Sequence, residues 1–159
     1  MLVQKQKKYR PNVAAIILSN VYPDECRFFI AHRCDIKGAW QFPQGGIDEG
    51  ESPRDALFRE LKEEIGTNEV EVLCECPTWV KHDFPKSMGK KMYVGFDGQI
   101  QKYFLVRLKN DSLINFQTPV PEFDQYEFVG YEKLLEYITP FKKEVYKQIL
   151  NYFKKKGYI

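Results

Sequence analysis

Apolar positions along the chain follow two rhythms. The runs VAAIILS, Val13 to Ser19, and CRFFIAHR, Cys26 to Arg33, are dense in branched and aromatic residues. They read as strands joined by a loop in which Asn20, Pro23 and Asp24 supply turn geometry. VEVLCEC, Val70 to Cys76, alternates, with Val70, Val72, Cys74 and Cys76 on one face and Glu71 and Glu75 on the other, as a half-buried strand requires. IQKYFLVRL, Ile100 to Leu108, and YEFVG, Tyr126 to Gly130, are further strands. Between them the period changes. Leu57, Phe58, Leu61 and Ile65 recur at helical spacing, with Ser52 to cap, Pro53 at the first helical position and Gly66 to close the C-terminus, so a helix spans Pro53 to Ile65. A second helix is expected over Tyr131 to Ile138. A third follows Thr139-Pro140, with a stripe of Phe141, Val145, Ile149 and Tyr152 or Phe153 that ends before Gly157. Strands interrupted by a few helices in mixed order predict an α+β arrangement, a sheet covered by helices.

The length of 159 residues, 43% of them hydrophobic, fits one domain over residues 1–159 with an ordinary core. A formal charge of +2 is too mild to mark a nucleic-acid binder by itself. Its distribution says more. Lys5, Lys7, Lys8 and Arg10 make one end basic, Lys142, Lys143, Lys147, Lys154, Lys155 and Lys156 the other, and acid concentrates between Asp48 and Glu75. Solvated lysines are the bland meaning; a metal bridging to a polyanion is the sharper one. The first residues lack the apolar stretch of a signal peptide and no run approaches the roughly 18 apolar residues of a membrane span, so a cytoplasmic protein without a membrane partner is expected. Cys26, Cys34, Cys74 and Cys76 contain no C-x-x-C pair, and a zinc site with His32 and His82 would match no common spacing. They read as reduced thiols.

The candidate chemistry lies in GGIDEGESPRDALFRELKEEIG, Gly45 to Gly66, which holds five glutamates and two aspartates. Glu60, Glu63 and Glu64 stand at i, i+3 and i+4 and share one helix face, near a helix C-terminus whose dipole is itself negative. Such crowding is disfavoured unless cations offset it. Arg59 and Lys62 could do so in a solvated face of modest ion pairs. A hard divalent ion is the alternative, since Mg²⁺ takes carboxylate oxygens and completes its shell with water and substrate phosphates.

The spacing of this segment resembles the signature of the Nudix hydrolases. Gly45 is followed by five residues and Glu51, then seven residues and Arg59-Glu60, then Leu61, Lys62, Glu63-Glu64, Ile65 and Gly66. Only the bulky apolar residue expected last is missing, replaced by Thr67, a departure that bears on local packing. The resemblance implies a Nudix fold, an α/β/α sandwich with a mixed central sheet, carrying Mg²⁺ or Mn²⁺ and hydrolysing a diphosphate linked to another moiety. It implies that Glu60, Glu63 and Glu64 are metal ligands, that Glu51 and Arg59 support or extend the site, and that Gly45, Gly46 and Gly66 shape it.

YRPNV (Tyr9 to Val13), WQFPQGGI (Trp40 to Ile47), QKYFL (Gln101 to Leu105), PEFD (Pro121 to Asp124) and FKKEVY (Phe141 to Tyr146) further resemble the branch of bacterial RNA pyrophosphohydrolases, also described as dinucleoside polyphosphate hydrolases. That resemblance implies removal of pyrophosphate from the 5′ end of RNA, or cleavage of a diadenosine polyphosphate; neither DNA nor a membrane is an expected partner. It also implies that Glu122 approaches the metals and takes a proton from water, that Arg10 and Lys102 contact phosphates, and that Arg33 and Phe141 hold a base. Taken as residues alone, Glu122 is a turn carboxylate, Arg10 and Lys102 are surface charges, and Phe141, Trp40, Phe42 and Trp79 belong to the core. A nucleotide-pool sanitiser and an RNA-binding module with vestigial catalysis are the rival functions; the intact glutamates argue against the second.

Overall fold

The computed structural model describes residues 6–84 and 95–159, apart from the Phe141 side chain; Lys5 and part of the segment Lys81 to Gly98 lie outside them. In chain order the elements are β1 (Tyr9–Leu18), β2 (Phe28–Arg33), β3 (Trp40–Gln41), β4 (Gln44–Gly46), α1 (Pro53–Ile65), β5 (Val70–Glu75), β6 (Val80–Asp83), β7 (Gly98–Leu108), β8 (Phe123–Val129), α2 (Tyr131–Tyr137) and α3 (Pro140–Lys155). The sheet runs β3-β2-β1-β7-β5, with β4 beside β1, β6 beside β7 and β8 beside β2. Its centre is the parallel pair β1–β7, in register from Tyr9 opposite Gly98 to Leu18 opposite Arg107. A mixed sheet between helices is the expected α+β Nudix architecture.

Central strands are buried on both faces, which explains why β1 reads as a continuous apolar run rather than an alternation. Its side chains divide between two cores. Val13, Ala15 and Ile17 pack with Leu57, Leu61 and Ile65 of α1. Ala14, Ile16 and Leu18 pack with Tyr146, Ile149, Leu150 and Phe153 of α3. Full burial of each such aliphatic side chain is worth about 1.5–3 kcal/mol. β1 and β2 pair only through Leu18 and Phe28 and then part: β1 continues against Gln44–Gly46, while β2 continues against β8 and β3. The divergence opens the sheet at its middle.

The α1 boundaries match the sequence expectation. Ser52 accepts from the Asp55 N–H, Pro53 opens the helix, and Gly66 sits in the left-handed region at φ 77°. Its buried face departs from the expected stripe: Phe58 is half-buried, and Ala56 and Glu64 are buried with Leu57, Leu61 and Ile65. Other departures have local causes. β5 carries a register shift between Val72 and Cys74, so its alternation breaks: Val72 joins the α1 core while Leu73, Cys74 and Cys76 join the α3 core. The inward stripe of α3 is Tyr146, Ile149, Leu150 and Phe153, with Val145 at its edge. β3, β4 and β6 span only two to four residues, too short for a periodic pattern, and Gln44–Gly46 contains no apolar residue at all. Thr67, 3% exposed, occupies the buried position where an aliphatic was expected and accepts the Glu69 N–H through Oγ1. Among the described residues the four cysteines are free thiols.

Gly66 is the most demanding backbone position. A Cβ there would meet the Asn115 carbonyl, and the left-handed conformation costs a residue with a side chain roughly 1–2 kcal/mol by itself. Gly66→Ala is therefore expected to lower stability by about 2 kcal/mol or more. Urea denaturation followed by circular dichroism checks this; an unchanged midpoint would refute it.

Candidate active site

The segment between β4 and α1 folds back because Glu51 has two partners. It accepts the Asp48 N–H at 3.0 Å, and both its oxygens face Arg59, from Nε and Nη2, at 2.8 Å each. Arg59 also donates to the Gly46 carbonyl at 2.8 Å, to Glu60 at 2.9 Å and to Glu63 at 3.2 Å. One guanidinium thus gathers the loop, β4 and the helix face. The Arg59 fork and the Asp48 N–H hold the Glu51 carboxyl down at about 2. The same carboxylates raise the Arg59 pKa.

Glu60 and Glu64 behave differently. Glu60 lies over Gly45 so closely that a Cβ there would overlap its carboxyl group. Its pKa is raised, first by burial, against the opposing pull of Arg59, with Glu63 and Glu122 adding repulsion. Glu64 is only 5% exposed, correcting the expectation of a partly exposed helix end, and its Oε2 has no hydrogen-bond partner. Burial, then the charges of Glu122 and Glu60, push its pKa well up. Glu122 arrives from the residue before β8, where its carbonyl accepts the Cys34 N–H at 2.9 Å. Two carboxylates of one helix and one from 58 residues further along the chain therefore converge in the opening of the sheet. Glu63 is turned out onto Arg59, its side chain 58% exposed.

Facing this acid is Lys142 in the first turn of α3, a residue the sequence reading counted only as part of a basic tail. Its Nζ donates to Gln41 at 2.9 Å. Desolvation and the neighbouring Arg33 push it down to about 7, while Glu64 and Glu122 pull the other way. The only signal in the sequence was its place one residue after Phe141. A buried amide layer lies below: Gln101 donates to Asn12 at 2.9 Å and to Gln44 at 2.8 Å, and accepts from the Tyr103 hydroxyl at 2.9 Å. Fully satisfied networks of this kind hold a single arrangement. These amides were not anticipated either.

The remaining expected positions are distributed unevenly. Arg33 ends β2 next to the bulge against β8, its guanidinium held by Asp35 through bonds of 2.9 and 2.6 Å. Arg10 lies against Gly46. Lys102 is 9% exposed rather than on the surface; its Nζ donates to the Pro77 carbonyl at 3.3 Å, sits 3.6 Å from Glu75 and lies 5.5 Å over the Trp79 ring. Trp79 itself is 38% exposed, unlike the core residue expected, whereas Phe42 is fully buried against Tyr146. Phe141 is the second residue of α3, and its side chain lies outside the described residues. His32 is bound to Asp124 through Nδ1 at 2.7 Å and accepts the Gly38 N–H at Nε2, so it is not available to a zinc site with cysteines.

Among the described residues no three carboxylate, imidazole or thiolate groups are already arranged to hold a metal. The donor chemistry nevertheless suits a hard divalent cation: oxygen ligands only, one of them buried and unpartnered, in a cluster whose members repel one another. Binding would draw Glu63 away from Arg59 or proceed without it.

The model of the NUDIX domain matches residues 8–149. An RNA pyrophosphohydrolase of Campylobacter jejuni is 59% identical over 99% of the chain and 100% of its own length. One of Helicobacter pylori is 59% identical over 96% of the chain and 98% of its own length. Among solved structures, the Escherichia coli dihydroneopterin triphosphate pyrophosphohydrolase superposes with a TM-score of 0.71 over 89% of this chain and 97% of that one; at 19% identity it speaks for the fold alone.

The state of Glu64 sets a pH-dependent stability. A carboxyl whose folded pKa is raised stabilises fully below its unfolded pKa, and that contribution is lost as pH rises through the folded pKa. At pH 8 its buried charge should therefore cost stability. Glu64→Gln is expected to stabilise the metal-free protein by on the order of 1–3 kcal/mol at pH 8, because it removes a buried unpaired charge. The gain should shrink as the pH is lowered through the raised pKa. Calorimetric melting in chelator across that range checks it; a gain independent of pH would refute it.

Proposed function

The chain belongs to the NUDIX family, and we propose that it removes pyrophosphate from the 5′ end of triphosphorylated or diphosphorylated RNA, leaving a 5′-monophosphate and so exposing the RNA to decay. The observation that carries this reading is the convergence of Glu60, Glu64 and Glu122 opposite Lys142 and Arg33: acid for a cation, and cations for a polyphosphate, within one opening. The two relatives named RNA pyrophosphohydrolase, matched over nearly their full length, support RNA as the substrate.

In this reading Glu60, Glu64 and Glu122, joined by Glu63 once it leaves Arg59, hold Mg²⁺ or Mn²⁺. Such an ion neutralises phosphate charge and lowers the pKa of bound water. The chain's own residues do the rest. Arg59 is a positioning residue that fixes the Glu60 carboxylate and the Glu51 loop. Glu122, whose charge acts on the buried Glu64 carboxyl, is suited to take a proton from water. Lys142, poised near neutrality, gains its full charge when a polyphosphate replaces water beside it, since an adjacent anion favours the ammonium form. Arg10 and Lys102 add phosphate contacts, with Lys102 first leaving Pro77. Arg33, its plane fixed by Asp35, and Phe141 clamp a base. The compartment in this reading is the cytoplasm; no helix among the described residues is long and apolar enough to cross a membrane.

Gly45 gives a test in which no side chain is removed. Gly45→Ala should push the Glu60 carboxyl off β4 and reproduce the loss in Glu60→Gln, expected to exceed the roughly 10–100-fold typical of groups one shell away from a metal. Specificity constants at limiting and saturating Mg²⁺, with circular dichroism to confirm folding, measure it. If Gly45→Ala retains full activity, Glu60 is not held where the reaction needs it.

Substrate choice decides the reading itself. A base stacked on Phe141 gains about 1–3 kcal/mol, unavailable to a free nucleotide if the second base is the one held. Triphosphorylated RNA should therefore be preferred over ATP and GTP, and Phe141→Ala should lower that preference by about 5- to 150-fold. Equal turnover of RNA and mononucleotides, or a clear preference for diadenosine tetraphosphate, would replace the RNA reading.

A further inference from the structure

A second concavity of about 550 Å³ lies outside the carboxylate site, between α3 and β6. Its helical wall is Glu144, Lys147, Gln148 and Asn151, spaced i, i+3, i+4 and i+7, so one polar face of α3 lines it throughout. Val80 and Lys81 of β6, Tyr131 of α2 and Val145 of α3 complete the lining. A volume of this size accommodates a ligand of one or two nucleotides. The groove adjoins the active-site region, because Val145 lines both it and the small cavity formed by Gln44, Gln101, Tyr146 and Lys142. With a rise of 1.5 Å per residue, the polar face extends from about 3 to about 14 Å beyond Lys142 along the helix.

Its chemistry favours a nucleic-acid strand over an apolar ligand. Lys81 lies 5.3 Å over the Tyr9 ring and Lys154 lies 5.0 Å over the Tyr131 ring, so two of the lining residues, Lys81 and Tyr131, each belong to a pair of a cation with an aromatic face. Among the residues that line it, Lys81 and Lys147 stand against the single acid Glu144, and Lys154 adds a third cation behind Tyr131. Gln148 and Asn151 add exposed amides. Positive side chains beside aromatic faces and neutral donors form the recurring surface on which single strands lie.

We propose that this groove carries the RNA strand downstream of the reacting 5′ end, with Lys81 and Lys147 on its phosphates and Tyr131 offering a ring to a base. The inference rests on the RNA reading above and adds a second, length-dependent subsite to it. Substrates long enough to reach past the first turns of α3 bind more tightly than those that end at the active site. The gain appears in KM, since contacts remote from the reacting phosphates are formed equally in the ground and transition states.

The test compares an unstructured 5′-triphosphorylated decanucleotide with a triphosphorylated dinucleotide, in Mg²⁺, for wild type, Lys147→Ala and the double variant Lys81→Glu, Lys147→Glu. Wild type should show a several-fold lower KM for the longer RNA and a steeper salt dependence, by about 0.7 in logarithmic slope for each added phosphate contact. Both differences should shrink in Lys147→Ala and vanish in the double variant, with kcat for the dinucleotide as the internal control for folding. A 4-thiouridine placed inside the decanucleotide should cross-link to α3. Equal KM for both lengths in wild type overturns the groove. A length preference that survives the double variant removes the strand from it and leaves the surface to an acidic protein partner. If neither RNA is hydrolysed while diadenosine tetraphosphate is, the RNA reading fails first and takes the groove with it.

Discussion

The Arg59 guanidinium holds the active-site region together. Its contacts to Glu51, to the Gly46 carbonyl, to Glu60 and to Glu63 join a loop, a strand and a helix. Arginine suits this role because its donors form a rigid planar fork, so the Glu51 pair fixes orientation as well as distance. With the loop closed in this way, the segment 47–52 delivers Ser52 to cap α1 and the helix begins in the register that turns Glu60 and Glu64 inward. A lysine would supply the charge without the geometry.

Apolar packing supplies the opposing force. Leu57, Leu61 and Ile65 press α1 onto Val13, Ala15 and Ile17, and Glu64 lies between two of those anchors in sequence. Burial of that carboxylate is therefore a consequence of the helix docking. The sheet accommodates it only where β1 and β2 separate, and the same separation lets the residue before β8 reach in. The hydrocarbon core thus sets up an electrostatic conflict and the topology opens a place for a cation or proton to relieve it. Buried like charges with displaced pKa values are a recurring mark of functional sites.

Much of this was legible in the chain. The caps of α1 and the spacing of its glutamates fixed both the helix and its chemistry, because each depends on residues within one or two turns. The strands paired at the centre were visible as dense apolar runs. What escaped was non-local. Glu64 looked exposed because helical spacing alone does not say how far the apolar face extends; the docking of Leu61 and Ile65 on either side of it carries it inward, and Gly45, with no side chain, leaves room for Glu60 beside β4. Lys102 looked like a surface charge, yet its strand is central, and Pro77, Glu75 and Trp79 close around it. Lys142 appeared as one lysine in a basic tail until the fold placed α3 across the opening. Strands of two to four residues leave no period to detect.

The parallel pairing of β1 with β7 also governs when the protein can assemble. Residues 9–18 have no central partner until residues 98–107 exist, since parallel strands cannot be joined by a tight turn. At synthesis speeds of about 5–20 residues per second, the first strand waits roughly 5–20 s for its mate. During that interval its apolar run has only the short β4 and the tip of β2 to pair with, and the carboxylates of α1 remain in water. Nascent chains are therefore most vulnerable to aggregation through β1, and the buried charge of the active site is imposed only after β7 has been made.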